Sequence, residues 1–148
     1  MIETRLDKNF KIKGFFDEET STISYVVYDI TSKKCAVIDS VLDFEFSSGT
    51  IDYHNAEKII SFIEKMKLDI EWLIETHVHA DHLSASPYIQ KNLGGKIGIS
   101  EKISDIQNIF GKTFNAGTEF QRDGSQFDRL FKDNDEYRIG SIKCKVIN

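Results

Sequence analysis

Thr76-His77-Val78-His79-Ala80-Asp81-His82 holds three of the chain's four histidines together with one carboxylate. Ahead of it, Ile70-Glu71-Trp72-Leu73-Ile74-Glu75 reads as a short, largely apolar strand, and behind it Leu83 to Asn92 reads as a helix. Alternate residues of an extended segment point the same way, so His77 and His79 can present imidazoles to one point. Asp81 and His82 follow where the chain turns toward the helix, and so approach from another direction. Imidazole with carboxylate suits Zn²⁺, Fe²⁺ or Mn²⁺, and the lack of a nearby cysteine argues against a closed structural zinc site. The four donors serve one ion or split between two, and a two-metal centre activates a water while polarising a substrate oxygen. A plainer reading makes these surface histidines, with Asp81 capping the following helix. That reading leaves their concentration in a chain otherwise nearly free of histidine unexplained.

On the N-terminal side, the residues up to Lys13 read as an edge strand or entry segment. Thr22 to Ile30 and Lys34 to Asp39 form a hairpin, with Tyr25, Val26, Val27 and Tyr28 giving strong strand character. Val41 to Asp52 lacks periodicity and holds Ser47-Ser48-Gly49, which predicts a loop. Tyr53 to Met66 is helical, because Ala56, Ile59, Ile60, Ile63 and Met66 recur at three and four residues. His54 falls in the first turn of that helix and reads as a solvated helix-start residue. Trp72 reads as core packing.

On the C-terminal side, Pro87 suits a first helical turn and Gly94-Gly95 a helix end. Lys96 to Ile99 predicts a strand, and Ser100 the N-cap of a helix with Ile103, Ile106 and Ile109 inward. Phe110 to Phe127 predicts a long loop beside the site. Glu136 to Ile139 and Ile142 to Ile147 predict a hairpin turned by Gly140-Ser141.

His77-x-His79-x-Asp81-His82 after an apolar strand resembles the signature of the metallo-beta-lactamase superfamily, the αββα metal-dependent hydrolases. Phe15-Phe16-Asp17 with Ser24-Tyr25-Val26-Val27, the stretch from Val37 to Phe44, and Glu75 through Ala85 resemble its glyoxalase II-like and persulfide dioxygenase-like branch. The resemblance implies an α/β (α+β) fold, the N-terminal half of an αββα sandwich with a mixed sheet and helices on one face. It implies one apparently truncated domain over residues 1–148. His77, His79, Asp81 and His82 match metal-binding positions, with Asp81 also the catalytic residue that orients the attacking water. Asp39 matches an aspartate that supports the ligands from behind; read from the residues alone, it is equally a strand-end turn former.

In a hydrolase, His77 and His79 hold one ion and Asp81 with His82 the other. In the mononuclear iron branch only the position of His79 belongs to the ligand set. Family members carry further ligands after the strand that ends near Val146, and no histidine follows His82 here. The resemblance therefore implies a metal-dependent hydrolase of thioesters or related acyl substrates, or an iron-dependent persulfide dioxygenase acting on glutathione-linked substrates, with Zn or Fe as cofactor. The alternative is a non-catalytic half-domain or remnant. A two-layer sheet packing needs both halves to bury its inner face, so a second copy or a complementary C-terminal fragment is expected as partner.

Composition narrows the classes. The 148 residues suffice for one core, and a net charge of −5 without a basic run disfavours a nucleic-acid partner. No apolar run approaches the ~20 residues of a membrane span. The N-terminal residues carry no signal-peptide core, and Cys35 and Cys144 read as reduced thiols of a cytoplasmic protein.

Overall fold

In the computed structural model, which describes residues 9–148, the elements follow the chain as β1 (Phe10–Asp17), β2 (Thr22–Asp29), β3 (Lys34–Ile38), β4 (Val41–Glu45), β5 (Thr50–Asp52), α1 (His54–Met66), β6 (Asp69–Ile74) and β7 (Leu83–Ser84). Then come α2 (Ser86–Leu93), β8 (Lys96–Ser100), α3 (Ile103–Thr113), β9 (Arg129–Phe131), β10 (Glu136–Ile139) and β11 (Ile142–Lys145). The expected entry strand is β1, and the part of it placed before residue 9 lies outside the described residues.

A six-stranded sheet runs in the order β1-β2-β3-β6-β8-β9. β1, β2 and β3 pair antiparallel, while β3, β6, β8 and β9 pair parallel. Parallel neighbours need a crossover, and α1 and α2 supply those from β3 to β6 and from β6 to β8. Their apolar stripes cover one face of the sheet. Ile59 and Ile63 of α1 and Ile89 of α2 pack with Val26, Val37 and Leu73, all at most 1% exposed. This is the mixed sheet with helices on one face that the motif implied.

The other face is partly open. Strand alternation and register place Ile12, Phe16, Ile23 and Tyr25 together there, and Ile12 and Phe16 are each 57% exposed. The β10–β11 hairpin covers the remainder. Trp72 donates from Nε1 to the Arg138 carbonyl at 2.9 Å and packs against Phe131 and Tyr137, so it is a packing residue as expected. The tip of the hairpin is tied down by Asp29, which accepts from the Ser141 amide and hydroxyl at 2.8 and 2.7 Å. Gly140 sits at φ 59°, and a Cβ there would lie 2.0 Å from Ser32 Oγ, so the turn can approach only as glycine.

Several expectations fail, chiefly where a distant partner overrides a local pattern. Val41 to Asp52 is not a loop but the β4–β5 hairpin, turned at Gly49 with φ 68°. Val41 and Leu42 also pair with Ser84 and Leu83. That pairing holds Leu83 and Ser84 extended, so the helix expected from Leu83 begins at Ser86 and Asp81 does not cap it. Ser100 ends β8 instead of capping α3, which starts at Ile103 and runs to Thr113, into the expected loop. Ile103 of that helix is buried, whereas Ile109 is 62% exposed. Both cysteines are free, and burial pushes the Cys35 thiol up to about 12.

Candidate metal centre

The histidine segment leaves the carboxyl end of β6 and is clamped on both sides. At its entry, Asp39 accepts from the Thr76 amide and hydroxyl, both at 2.7 Å. At its exit, Leu83 and Ser84 are held by β4. Both clamps come from the turn after β3, where Asp39 adopts φ 49°, a left-handed conformation rare for a side chain other than glycine. Ser24 Oγ donates to the Asp39 carbonyl at 2.7 Å and holds that turn.

The imidazoles converge. Ring centroids of His77 and His79 are 4.4 Å apart, and those of His79 and His82 are 4.1 Å apart. Two donor groups result, Asp39–His77–His79 and His79–Asp81–His82, each with its candidate atoms within 4.8 Å of one another. His79 belongs to both. The fourth histidine, His54, begins α1, is exposed, and belongs to neither group.

Hydrogen bonding orders which nitrogen each ring offers. The single proton of the Thr76 hydroxyl goes to Asp39, so His77 Nδ1, 2.8 Å from that hydroxyl, must donate to it. The lone pair of His77 then lies on Nε2. Likewise His82 Nδ1 faces the Asp81 carboxylate at 3.2 Å, which leaves the lone pair on Nε2. That Nε2 is buried and has no hydrogen-bond partner. A buried acceptor without a donor is costly, and a cation beside it would remove the cost. Three imidazoles with adjacent carboxylates are the donor chemistry of zinc and iron sites, so the residues fit such an ion.

His79 is held differently. Its Nε2 lies 3.1 Å from Asp39 and 3.0 Å from Glu75. The bond to Asp39, then that to Glu75, raise its pKa to about 9 against the opposing effect of burial. Burial pushes Asp39 the other way, and the hydrogen bonds from His79 and Thr76 outweigh it and lower the carboxyl. His82 and then Thr22, whose hydroxyl donates at 3.0 Å, hold Asp81 down at about 2. Asp81 and Asp39 are thus anionic at neutral pH, next to the rings they face.

Glu75 is the site residue that sequence reasoning missed. It is 5% exposed and accepts at Oε1 from both Ser84 and Ser86, while Oε2 faces His79. Ser86 is joined in turn to Ser40 at 3.2 Å. The available signal was a carboxylate closing an otherwise apolar strand immediately before the motif.

The sequence profile of the metallo-beta-lactamase superfamily matches residues 18–143. A probable metallo-hydrolase of Burkholderia pseudomallei is 45% identical over 137 residues, covering 93% of this chain and 47% of that protein. Glyoxylase B2 of Dictyostelium discoideum is 38% identical, covering 93% and 48%. Persulfide dioxygenases are among the relatives of lower identity. The crystal structure of ETHE1 from Myxococcus xanthus superposes with a TM-score of 0.63 at 20% identity, over 90% of this chain and 45% of that one. The chain therefore spans about half the length of these relatives. A profile matched over most of the chain, on a sheet that overlays half of a known member, leaves one conclusion: the chain belongs to the metallo-beta-lactamase superfamily.

Proposed function

We propose that the protein forms the metal-binding part of a metal-dependent hydrolase of thioesters or related acyl substrates, with His77, His79, Asp81 and His82 as ligands. The observation that carries this is the orphaned, buried Nε2 of His82, whose ring lies 4.1 Å from that of His79, the residue shared by both donor groups. A bound zinc or iron ion would supply an activated water and polarise the substrate oxygen. The chain's own residues do the positioning. Thr76 and Asp81 fix the tautomers of His77 and His82, and Asp39 and Glu75 fix the plane of His79. Asp81, anionic and half-exposed, is placed to accept a hydrogen bond from an attacking water and so orient it.

A second reading, an iron-dependent dioxygenase acting on glutathione persulfide, is favoured by the singular position of His79, the ring shared by both donor groups and flanked by two carboxylates. The persulfide dioxygenases among the relatives support it. Elemental analysis of protein purified without added metal separates the two: zinc supports the hydrolase, stoichiometric iron the dioxygenase. An empty site that takes up neither ion sinks both and leaves a non-catalytic half-domain. Assays with a glutathione thioester and with glutathione persulfide, each against His79→Ala, then assign the chemistry.

The face bearing Ile12, Phe16, Ile23 and Tyr25 supports a further layer over the sheet, from a second copy or a complementary segment. Light scattering tests this, and a monomer that binds no hydrophobic dye would argue against it. Two free thiols, with Cys35 held protonated by burial, support a reducing, cytoplasmic setting. Among the described residues no helix is long and apolar enough to cross a membrane.

A further inference from the structure

Beside the histidines, between α2, β8 and α3, lies a cavity of about 400 Å³, within the range of small-molecule sites. His77, His79 and His82 line one part of it; Ile97, Ile99, Ile103, Ile106, Phe120 and Phe127 line the rest. The polar groups that reach it are already engaged. Glu75 is bonded to Ser84, Ser86 and His79. Gln107 donates to Gln126 and accepts from the Gly124 amide, both at 2.9 Å, and Gln126 donates to the Gln121 carbonyl at 2.7 Å. Away from the imidazoles, these walls offer a guest apolar contact and no free hydrogen-bonding side chain.

The outer wall is a built feature. Arg122 Nη2 donates to the Ala116 and Gly111 carbonyls at 2.8 and 3.2 Å, folding the segment after α3 back onto that helix. The arginine lies close against the helix at Gly111, where a Cβ would be 2.4 Å from Arg122 Nε and would push the side chain away. Gln107, buried in α3, ties down the same segment further along through Gly124.

We infer that this cavity receives the uncharged, apolar part of a substrate whose reacting group lies at the histidines. The inference rests on the proposed function for the identity of that reacting group, but the chain-binding property stands on the cavity alone. A charged group would be buried against aliphatic side chains with no free partner to offset its desolvation. Discrimination comes from area, so each added methylene tightens binding about fourfold, equivalent to about 0.8 kcal/mol.

The test titrates the 148-residue chain, labelled with ¹³C at the isoleucine δ1 methyls, with 1-butanol, 1-hexanol and 1-octanol. These alcohols carry no acid or thiol to bind metal, so their result is independent of the metal analysis that tests the proposed function. Saturable shifts at Ile97, Ile99, Ile103 and Ile106 are expected, with Ile12 and Ile23 on the open sheet face unmoved. Affinity should rise by roughly fourfold per methylene. Ile106→Trp should abolish the response by filling the cavity, while shifts of Ile59 and Ile63 report an intact core. Phe120→Ser, on a wall residue that is 42% exposed and outside the buried core, should weaken it. Equal responses at Ile12 and Ile23, no dependence on chain length, or no response at the cavity methyls would overturn the inference. So would cavity methyls that shift with protein concentration alone, since a second copy would then be the occupant.

Discussion

Asp29 lies ahead of β3 and Asp39 just beyond it, so one strand separates two carboxylates that are held in different ways. Asp29 is wholly buried and accepts from Thr31, Ser32 and both donors of Ser141, all of them neutral. The Ser141 amide, followed by its hydroxyl and that of Ser32, keeps the Asp29 carboxyl well below the usual range. Asp39 accepts two bonds from Thr76, but its remaining neighbour is the titratable ring of His79. A carboxylate saturated by neutral donors pins a hairpin. A carboxylate that accepts from an imidazole orients a ring whose other nitrogen is left for a cation.

The sharpest break in that comparison comes from His79→Ala, which removes the ring common to both donor groups. Metal affinity should fall by more than about 100-fold, since even the outer partners of a ligand are worth about 10–100-fold. Metal content after dialysis against a weak chelator measures it. Next is the exchange of roles between the two aspartates. Asp39→Asn should lower metal affinity about 10–100-fold and, in metal-free protein, lower the unfolding midpoint at neutral pH but not above pH 9, where the His79 contribution is already lost. Asp29→Asn should lower the midpoint by several degrees and leave metal affinity unchanged. If Asp29→Asn also empties the site, the two ends of the strand are not independent.

The pH responses should run in opposite directions. His79 is raised from 6.5 to about 9, so in metal-free protein its contribution is full below pH 6.5 and is lost as pH climbs through 9. Metal must displace the same proton, so metal affinity should increase over that interval. Asp29 is lowered from 3.8, so its contribution is present above that pH and is lost on acidification below it. Thermal melts of metal-free protein across pH 3–10, with each aspartate variant as control, would show the alkaline loss shrink in Asp39→Asn, where Glu75 still faces His79, and the acid loss shrink in Asp29→Asn. The smallest effect expected is at Cys35: its protonated, buried thiol should resist alkylation at pH 8 while the half-buried Cys144 reacts slowly.

What could be read from the chain was local. The period of Ala56, Ile59, Ile60 and Ile63 writes α1, the β-branched and aromatic run writes β2, and Gly140-Ser141 writes the last hairpin. Histidine density within one short stretch marks the site without any fold. Harder to read was whatever depends on a distant partner. A two-residue strand such as Leu83–Ser84 has no period of its own and exists because Val41 and Leu42 lie beside it. Glu75 looks like the polar end of a strand until Ser84, Ser86 and His79 close around it.

The sequence by itself determined the family, the identity of the donor side chains and the helices that cover one sheet face, because spacing along the backbone carries that information. Tertiary structure alone decided that His79 is shared by two donor groups, that the partners of His77 and His82 at Nδ1 leave the lone pair of each on Nε2, and that an aliphatic cavity stands beside them. The reason is that tautomers and cavities are set by which groups meet across the fold, and those meetings join residues far apart in the chain.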